Sequence, residues 1–566
     1  MSDGRVIDLL SRSWISQSRV TLLDAHFGQG LLFLKLWDAW RRHARRPQRL
    51  HVIGLLPGLP DRVALREALA VRLTEIGGEQ LIPLLNTLQS TWPLNLPGLH
   101  RLEFEAGAVT LTLGVGAADT VFGRLCAEVD VFLLKDMSCL QQASLLAAPG
   151  ARGYISRASH LALEADTDIE VISISRSAAQ PRTLPHAWLQ SPVGLSEQRA
   201  LVIGGGFAGM GVAQSLALRG WRVTVIDEKV GHHTSTHQHH IAAALTPMVS
   251  RDDNIRARLA RAGSLRAQAR WGEMPNAIFH ACGAIQLERN QGRIVDLVSV
   301  LDALKFPPQW VQYLRADQAS ELSGMPLNRG GIYFPTAARV HPQGLLDALA
   351  KTAGVDVLCA QVAQLAGVAG SWQALDGSGK VLAHAPYVVI AGGVHTQTVL
   401  KQSGLLDHNA RLSAMHALGG EVSCIPSADL YGGPRCIVAG DGYVLPAQNG
   451  QCVIGSTYAH AAREVLVTSE GIAANIKRAA GLLNIPQLSE QLKDKQIGGW
   501  AGWRAVLPGR LPAIGPVQRA PGVWVACGFA SRGLTWATLA GDLIAGALNG
   551  EPLVLENDII QVISEN

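Results

Sequence analysis

Apolar runs of strand length alternate with helical periodicities along the first part of the chain. A strand pattern with a glycine turn covers Thr21–Gly30, and a second strand pattern covers Gln48–Gly58. Further strand patterns occupy His100–Gly116 and Val129–Met137, with amphipathic helix patterns between them. Strands that alternate with helices predict an α/β domain with a doubly wound sheet, which we place at residues 1–177.

A tighter form of the same alternation begins at Ala200. An apolar strand pattern enters a glycine cluster, a helical pattern follows, and a second apolar strand ends at Asp227. Gly204, Gly206 and Gly209 fit the spacing G-x-G-x-x-G. In this strand–helix–strand context the spacing indicates a dinucleotide site. The alternative is an ordinary glycine-rich turn between a strand and a helix.

Each residue of this fingerprint has a physical task. Gly204 allows a tight turn, Gly206 lets the backbone approach a pyrophosphate, and Gly209 lets the helix pack on the strand. The first N–H groups of the helix are free to bind phosphate. Asp227 lies 23 positions after Gly204, close to where a carboxylate binds a ribose hydroxyl.

Proline interrupts the alternation between these two regions. Residues 178–199 contain three prolines and no periodicity, which indicates a linker. A second domain, residues 200–566, then contains the fingerprint and the β-rich stretch Arg411–Tyr458, which is typical of a substrate domain.

A second candidate binding element lies near the end of this domain. The strand pattern Gly522–Phe529 leads into a small-residue turn, Ala530–Thr535, which opens a helix. A strand that enters a helix N-terminus presents free N–H groups to an anion or a ring oxygen. Gly533 and Leu534 are therefore candidate cofactor-binding residues.

Composition narrows the class of protein. Charged residues make up 17% of the chain and hydrophobic residues 48%, so the chain can bury large cores. The net charge of +4 is compatible with a polyanionic partner. No signal segment or membrane-length apolar run is evident, and the eight cysteines include no C-x-x-C. We expect a cytoplasmic protein with no membrane partner, no zinc site and reduced thiols.

Three polar clusters leave alternatives open. The arginine-rich helix pattern Ile255–Trp271 is a solvated face or a contact to RNA phosphates. The same two interpretations apply to a basic cluster that ends the first helix: Arg41, Arg42, Arg45, Arg46 and Arg49. A histidine-rich stretch lacks carboxylate or cysteine at ligand spacing, so we predict no metal there: His232, His233, His237, His239 and His240. The neighbouring Ala242–Ala244 suit a loop beside a flat cofactor.

The motifs after Ala200 resemble those of the flavin-dependent amine oxidoreductases of the D-amino-acid oxidase and glycine oxidase type. They are VIGGGFAGMGVAQSLALRGWRVTVIDE, GWRAVLPGRLPAIGPV and CGFASRGLTWATLAGDLIA. The whole chain is more closely similar to the MnmC family of bifunctional tRNA-modifying proteins, through HQHHIAAALTPMVSRDDN, GGIYFPTAARVHPQGLLDAL and GFASRGLTWATLAGDLIAGALNGEPLVLE. The similarity is strong from Ala200 onward and weaker, but collinear, before it.

The resemblance implies two activities on the wobble uridine of tRNA. The C-terminal half would use FAD to oxidise the C–N bond of a 5-carboxymethylaminomethyl group, which releases glyoxylate and leaves 5-aminomethyl-2-thiouridine. The N-terminal half would then methylate the amine from S-adenosylmethionine. The implied partner is tRNA, with neither membrane nor metal, and no oligomeric state is favoured.

The resemblance also assigns two arginines to the substrate carboxylate. The G-x-R motif places one at Arg504, and the R-G before the last helix places the other at Arg532. A guanidinium fork suits bidentate binding of a carboxylate. The alternative for each is a surface or structural arginine. A hydride mechanism on a neutral amine requires no general base, so none is named.

The N-terminal half departs from the methyltransferase pattern of the family. Its first motif reads Asp24-Ala25-His26-Phe27-Gly28-Gln29-Gly30 where the family has roughly E-x-G-F-G-x-G, and no acid follows Gly54. Asp136 stands alone where the family has an aspartate–glycine–phenylalanine stretch. We expect a degenerate, inactive methyltransferase-like fold that docks on the oxidase or helps to hold tRNA, with S-adenosylmethionine binding left open.

Two rival functions remain at this point. One is an FAD-dependent oxidase of small free amines or amino acids. The other is a non-catalytic tRNA-binding protein with a vestigial flavin site. The extra N-terminal domain and the arginine-rich helix favour tRNA as the substrate.

Overall fold

The structure is a computed structural model. It describes residues 17–134, 136–156, 169–176, 198–229, 236–289, 296–368, 370–407, 409–460 and 464–564, together with Ile7, Leu10, Trp14 and Trp188. The chain divides into two compact units. Unit 1 comprises Met1–Val193 and Ala545–Gln561, and unit 2 comprises Gly194–Ile544 and Val562–Asn566. Most of the predicted linker, and also His232 and His233, lie outside the described residues.

Unit 1 is built on a seven-stranded sheet. Its strands are β1 (Arg19–Asp24), β2 (Arg49–Leu56), β3 (Gly98–Phe104), β4 (Val109–Val115), β5 (Val129–Leu134), β6 (Ala147–Ser156) and β7 (Ile169–Ser173). Its helices are α1 (Leu31–Arg42), α2 (Arg62–Glu75), α3 (Ile82–Thr91), α4 (Ala118–Phe122) and α5 (Leu140–Leu146). The order is β3-β4-β2-β1-β5-β6-β7, with β3 and β7 antiparallel to their neighbours. The predicted α/β fold with a largely parallel sheet is confirmed.

The first helix shows why this region folds as the pattern predicts. Gly30, with a φ of 89°, lets the chain turn from β1 into α1. The apolar positions of α1 recur at helical spacing and are buried: Leu31, Phe33, Leu34, Leu36, Trp37 and Trp40. Arg41, Arg42, Arg45 and Arg46 of the basic cluster are exposed. Arg49 does not share this surface, because it belongs to β2, is half-buried and lies 3.8 Å from Glu551.

Residues 545–561 complete unit 1, although the sequence places them in the second domain. The Leu553 N–H donates to the Cys126 carbonyl at 2.8 Å, and the Asn557 N–H donates to the Arg124 carbonyl at 2.9 Å. The carboxylate of Glu551 is buried 3.7 Å from the guanidinium of Arg101. The chain therefore returns to unit 1 after it has built unit 2.

Unit 2 contains four sheets, among them a six-stranded and an eight-stranded one. The strands are β8 (Arg199–Ile203), β9 (Arg222–Ile226), β10 (Ala243–Leu245), β11 (Phe279–His280), β12 (Ala284–Leu287), β13 (Gln312–Leu314), β14 (Gly331–Phe334), β15 (Ala338–Val340), β16 (Val355–Leu358), β17 (Gln364–Val368), β18 (Ser371–Leu375), β19 (Val381–Ala385), β20 (Tyr387–Ile390), β21 (His416–Pro426), β22 (Ile437–Ala439), β23 (Tyr443–Val444), β24 (Gln451–Gly455), β25 (Gly498–Val506), β26 (Ala513–Pro516) and β27 (Val523–Cys527).

The helices after residue 200 are numbered on from α5 in chain order, and the last of them begins in unit 1. They are α6 (Phe207–Ala217), α7 (Ile255–Trp271), α8 (Leu297–Leu304), α9 (Ala316–Ser323), α10 (Pro342–Ala350), α11 (Thr396–Gln402), α12 (Ala410–Ser413), α13 (Ser469–Leu483), α14 (Leu488–Gln491), α15 (Gly533–Leu548) and α16 (Asn557–Ser564). Short 3-10 helices cover Glu79–Leu81, Glu105–Gly107, Met137–Cys139, Gly393–His395, Ser427–Leu430 and Pro508–Arg510.

The two large sheets of unit 2 differ in strand number and order. The six-stranded sheet, β16-β9-β8-β20-β27-β26, is parallel except at β26, so the carboxyl ends of five strands meet at one edge. The eight-stranded sheet has the order β13-β14-β12-β22-β23-β24-β21-β25. The first sheet carries the fingerprint, and the second contains the strands of the predicted β-rich stretch Arg411–Tyr458.

Three helices of unit 2 meet at glycines. A Cβ added at Gly211 of α6 would lie 2.5 Å from the Ala537 carbonyl oxygen of α15, and one at Gly541 would lie 2.3 Å from that of Gly211. A Cβ at Gly263 of α7 would lie 2.2 Å from the Thr535 carbonyl oxygen. Because side chains would separate these backbones, α6, α7 and α15 require glycine at their contacts.

The arginines of α7 are largely internal, which corrects both interpretations of this helix. The Arg266 guanidinium donates twice to the buried carboxylate of Asp542, at 2.6 and 2.8 Å. Arg270 and Arg219 lie 3.1 and 3.4 Å from the other oxygen, and these cations hold the pKa of Asp542 well below its usual range against the effect of burial. Arg261 forms a bidentate ion pair with Asp253. Arg261 and Arg266 are therefore buried against their carboxylate partners and do not form a solvated face.

Among the described residues, no helix combines the length and the apolar character needed to cross a membrane.

Candidate functional site

A cavity of about 1090 Å³ lies in unit 2 at the edge where the parallel strands end. Its lining includes the residues that directly follow β8, β9, β20 and β27, namely Gly204, Asp227, Ala391 and Gly528. Ligands of open α/β sheets bind at the carboxyl ends of strands. The eight-stranded sheet contributes further lining residues from β23 and β25, so both sheets contribute to one cavity.

The fingerprint glycines have the geometry that a pyrophosphate site needs. Gly204 has a φ of 108°, and a Cβ there would lie 2.6 Å from the Ala391 carbonyl oxygen. A Cβ on Gly209 would lie 1.9 Å from the Gly204 carbonyl oxygen. A Cβ added at Gly206, by contrast, would meet no protein atom within 4 Å. The space before Gly206 at the N-terminus of α6 is the cradle that a phosphate would fill.

Asp227 lines the cavity directly after β9. Its carboxylate accepts hydrogen bonds from the N–H groups of Gly205, at 2.7 Å, and Lys229, at 2.8 Å. A carboxylate can accept about four hydrogen bonds, so capacity for ribose hydroxyls remains. The bond from Gly205 ties the acid to the glycine turn.

Arg504 projects from β25 beside a pair of glycines. Gly502 pairs with Gly420 of β21, and Arg504 lies two residues further along the strand. A Cβ at Gly420 would lie 1.8 Å from Nη1 of Arg504, so the guanidinium occupies the space that this glycine leaves. It donates to the carbonyl oxygens of Gly419 and Thr457, at 3.3 and 3.4 Å, and to Ser456 Oγ at 3.1 Å.

Arg532 lies at the start of α15 and also lines the cavity. Its guanidinium donates to the Thr246 carbonyl at 3.3 Å. Burial and the charge of Arg256 lower its pKa. Within the described residues, neither Arg532 nor Arg504 has a carboxylate partner. Two unneutralised guanidinium groups in one cavity favour an anionic ligand.

Tyr443 of β23 adds a hydrogen-bond donor to the cavity. Burial raises the pKa of its phenol to about 12, against the opposing effect of the Arg504 charge. The hydroxyl therefore keeps its proton at neutral pH and can donate to a substrate oxygen or nitrogen.

A stack of flat rings covers another part of the lining. His240 lies parallel to Trp500 with ring centroids 4.1 Å apart, and His237 lies against Trp500 at 5.2 Å and Phe207 at 4.9 Å. Burial lowers the pKa of His237 to about 4 and that of His240 well below its usual value. These imidazoles are neutral at physiological pH and act as ring surfaces.

The histidine stretch shows no metal geometry where the structure describes it. His237 and His240 approach each other at 3.2 Å between their Nδ1 atoms. Among the described residues no three His, Cys, Asp or Glu side chains are placed to hold a metal ion. Ala243 and Ala244 do line the cavity, but as part of β10 and not as a loop.

Exposed aromatic side chains surround the mouth of the cavity. Tyr458 is 57% exposed and Trp503 is 38% exposed, and both also line the cavity. The Arg504 guanidinium lies 5.1 Å from the centre of the Tyr458 ring, within range of a cation–π contact. Leu466, 64% exposed, follows Val465 of the lining. Large exposed apolar side chains beside a cavity indicate a binding surface.

The residues present fit FAD. The fingerprint supplies a phosphate cradle and a ribose acid, and Gly533 and Leu534 at the N-terminus of α15 line the same cavity. The ring stack and the small side chains of β10 suit a flat group. Arg504, Arg532 and Tyr443 line the same cavity. Of these, sequence reasoning found the glycines, Asp227 and the arginines and missed Tyr443, Tyr458, Trp500 and Trp503.

We expect Gly206→Ala to release flavin without unfolding the protein. Gly206 has a φ of −75°, and its added methyl would meet no protein atom, so the change should cost little stability. The methyl would, however, displace the pyrophosphate from N–H donors whose bonds to a charged group are each worth about 1.5–3 kcal/mol. FAD affinity should fall about tenfold or more, measured by flavin absorbance after dialysis. Gly481→Ala, another helix glycine with open space around it, is the matched control and should keep its flavin.

Comparison with known proteins matches the part of the chain that forms this cavity to a known family. The profile of the FAD dependent oxidoreductase family (DAO) matches residues 199–547. A curated relative, the tRNA 5-methylaminomethyl-2-thiouridine biosynthesis bifunctional protein MnmC of Cupriavidus metallidurans, is 33% identical over 98% of this chain and 89% of its own length. The protein of the same name from Cupriavidus necator is 32% identical over 97% of this chain and 90% of its own length.

Solved structures share the fold of unit 2. Glycine oxidase from Geobacillus kaustophilus matches with a TM-score of 0.53 and 21% identity, over 65% of this chain and 98% of its own. Iminodiacetate oxidase from Chelativorans sp. BNC1 matches with a TM-score of 0.51 and 22% identity, over 63% of this chain and 96% of its own. At this level of identity the comparison concerns the fold alone.

Proposed function

The chain belongs to the MnmC family of the FAD-dependent oxidoreductases, and we propose that unit 2 removes the carboxymethyl group from 5-carboxymethylaminomethyl-(2-thio)uridine at the wobble position of tRNA. The observation that carries this proposal is the pair of cavity arginines, Arg504 and Arg532, beside a cradle for FAD. We also infer that the protein works in the cytoplasm, where its tRNA substrate is found.

The chemistry is an oxidation followed by a hydrolysis. FAD, when bound, supplies the acceptor for a hydride from the carbon next to the amine nitrogen. The resulting C=N bond takes up one water, and the products are the primary amine on the uridine and glyoxylate. One secondary amine, one water and one oxidised cofactor thus give one primary amine, one glyoxylate and one reduced cofactor.

The residues of the chain position this substrate. Arg504 and Arg532 bind the carboxylate of the carboxymethyl group, and they fix its carbon relative to the cofactor. Tyr443, which keeps its proton, donates a hydrogen bond to a polar atom of the substrate. The flat surface of Trp500, His237 and His240 limits the volume available and excludes water from that side.

The mouth of the cavity favours tRNA over a free amino acid. A small amine would leave much of the apolar surface of Tyr458, Trp503 and Leu466 exposed. Unpaired bases of RNA loops, in contrast, are bound by stacking on aromatic side chains. The wobble uridine lies in such a loop, so the exposed rings suit the nucleotides next to the modified base.

Glyoxylate release tests the proposal directly. The purified protein, with its flavin, should release one glyoxylate for each carboxymethylaminomethyl-uridine in tRNA and none from free glycine or sarcosine. Turnover of the free amino acids but not of the tRNA would instead establish the rival small-molecule oxidase. A colourless protein without absorbance near about 450 nm, the usual flavin band, would favour the non-catalytic tRNA-binding alternative.

We expect Tyr458→Leu and Trp503→Leu to weaken tRNA binding with flavin content unchanged. A base–aromatic stack is worth about 1–3 kcal/mol, so each change should raise KM for tRNA about 5- to 150-fold. Tyr431→Leu is the matched control, because Tyr431 is 68% exposed but does not line the cavity, and its KM should equal that of the wild type. Equal KM values in all three variants would place the anticodon loop elsewhere.

We further propose the domain division 1–177, 178–199 and 200–566 for the methyltransferase-like domain, the linker and the oxidoreductase. The parallel sheet of unit 1 and the match of the FAD oxidoreductase family to residues 199–547 support it. Residues 545–561 are an extension of the second domain that completes the sheet domain.

A further inference from the structure

The glycine turn of unit 1 is kept, and so is the phenylalanine that precedes Gly28. Gly28 and Gly30, with φ of 56° and 89°, carry the chain from the end of β1 into α1. Between the carboxyl ends of β1 and β2 a nucleoside would be expected to bind, because parallel α/β sheets bind ligands at that edge. Phe27 stands where the family pattern also has a phenylalanine, and its ring is only 4% exposed.

The position of the ring is tied to Gly54 of β2. A Cβ added at Gly54 would lie 2.3 Å from Phe27 Cδ2, and one at Gly30 would lie 2.9 Å from its Cε1. The ring therefore lies against both backbones, in space that exists because each lacks a side chain. It also packs with Phe33 at 6.4 Å between ring centroids, which makes it part of the hydrophobic core of unit 1.

The acid that would bind the ribose is absent from the end of β2. Leu55 and Leu56 end the strand and are 4% and 5% exposed. The first acid after them is Asp61, whose carboxylate caps α2 by accepting from the Val63 N–H at 2.8 Å. Ribose hydroxyls bind a carboxylate that follows the second strand, and here two buried leucines hold that position.

The acids at the ends of the central strands are used for local structure. Asp24, at the end of β1, is buried and accepts from the His26 N–H at 2.9 Å, and burial raises its pKa to about 6. Asp136, after β5, accepts from the N–H and the hydroxyl of Ser138 in its own turn. Because no acid directly follows β2 and Asp136 stands without the glycine and phenylalanine of the family pattern, the residues of this edge do not fit S-adenosylmethionine, the methyl donor that the bifunctional family implies.

We infer that unit 1 binds no S-adenosylmethionine and that the aminomethyl-uridine leaves this protein as an unmethylated primary amine. The inference rests on the proposed oxidase function of unit 2. Any methylation then requires a separate S-adenosylmethionine-dependent N-methyltransferase, in which the amine nitrogen bonds to the methyl carbon, the sulfonium C–S bond breaks and the nitrogen loses a proton. The chain would perform one of the two steps that its bifunctional relatives are named for.

Nucleoside analysis separates this inference from the proposed function. The full-length holoprotein is incubated with carboxymethylaminomethyl-uridine tRNA and methyl-labelled S-adenosylmethionine. Aminomethyl-uridine as the final product supports both statements. Label in methylaminomethyl-uridine would overturn the inference and leave the oxidase intact, while unchanged carboxymethylaminomethyl-uridine would overturn the oxidase.

Binding supplies a second readout that needs no turnover. Equilibrium dialysis of the same protein against labelled S-adenosylmethionine should show no saturable binding up to about 1 mM, a concentration that corresponds to about −4 kcal/mol of binding free energy. Saturable binding at one molecule per chain would contradict the inference even if no methyl were transferred.

A variant tests whether the ring of Phe27 is part of the core. Phe27→Leu should lower the unfolding midpoint of unit 1 and should still bind no S-adenosylmethionine, because the ring is core and the acid after β2 remains absent. If the ring were a lid that ligand displaces, the variant would keep its midpoint and gain affinity. Phe104→Leu, at another buried core position of the same unit, is the matched control for stability.

Discussion

Replacement of Arg504 by leucine is expected to lower kcat/KM for the modified tRNA about 100-fold or more while the protein keeps its flavin. Truncating one member of a buried, hydrogen-bonded charge pair typically costs about 2–5 kcal/mol, and the substrate carboxylate would be left facing Arg532 alone. KM should rise, because the contact is made in the bound substrate, and kcat should fall, because the reacting carbon is no longer fixed. Steady-state glyoxylate release measures both constants.

Two further variants separate a positioning effect from general damage. Arg510→Leu removes an exposed arginine of the same segment that does not line the cavity, and it should behave as the wild type. Gly420→Ala leaves Arg504 in the chain but places a methyl where its Nη1 lies. The guanidinium is the flexible end of a side chain, so Gly420→Ala should fold, retain flavin and lose part of the activity. A fully active Gly420→Ala together with a fully active Arg504→Leu would remove Arg504 from the substrate site.

Replacement of Asp542 by asparagine is expected to cost unit 2 about 3–5 kcal/mol of unfolding free energy, the usual result when one partner of a buried ion pair is removed. The carboxylate is fully buried between Arg219, Arg266 and Arg270. Asparagine retains the shape of the side chain but leaves three clustered positive charges without a negative partner. Urea unfolding monitored by flavin fluorescence measures the loss, because flavin release reports on unit 2.

A second substitution should restore part of this stability. Asp542→Asn combined with Arg266→Gln removes a positive charge together with the negative one, so the double variant should unfold at a higher urea concentration than Asp542→Asn alone. Asp317→Asn is the control for an exposed ion pair, since Asp317 and its partner Arg315 are both more than half exposed, and its midpoint should be unchanged. Equal midpoints for the single and double variants would mean that the charges do not act together.

The fingerprint could be predicted from sequence because its information is local. The glycines, the apolar strand and Asp227 all lie within one short segment, so spacing alone carries the geometry. Tyr443, Trp500 and Tyr458 had no such signal. They come from β23, from β25 and from the segment after β24, and only the pairing of the eight-stranded sheet brings them to one cavity.

The arginine-rich helix is the opposite case, because its sequence predicts an exposed surface that the structure does not show. Its charges suggest a solvated or RNA-binding surface, and nothing nearby in sequence contradicts this. The partner that buries Arg266 is Asp542, 276 positions further along the chain. A charge pattern predicts a solvent-exposed surface only when the ionic partners are close in sequence. Here the main partner, Asp542, is the single acid of the apolar helix α15.

The packing of α15 has a consequence for the folding of the protein during its synthesis. The fingerprint at Gly204–Gly209 is synthesised early, but α6 packs against α15 through Gly211 and Gly541, and unit 1 needs Glu551 and Leu553 to satisfy Arg101 and Cys126. Domains usually fold in order as they leave the ribosome. In this chain neither unit is complete until residues 533–561 have emerged, so FAD should load only after nearly the whole chain has been translated, and a frameshift or proteolytic cut before Gly533 should yield an apoprotein in which both halves are unfinished.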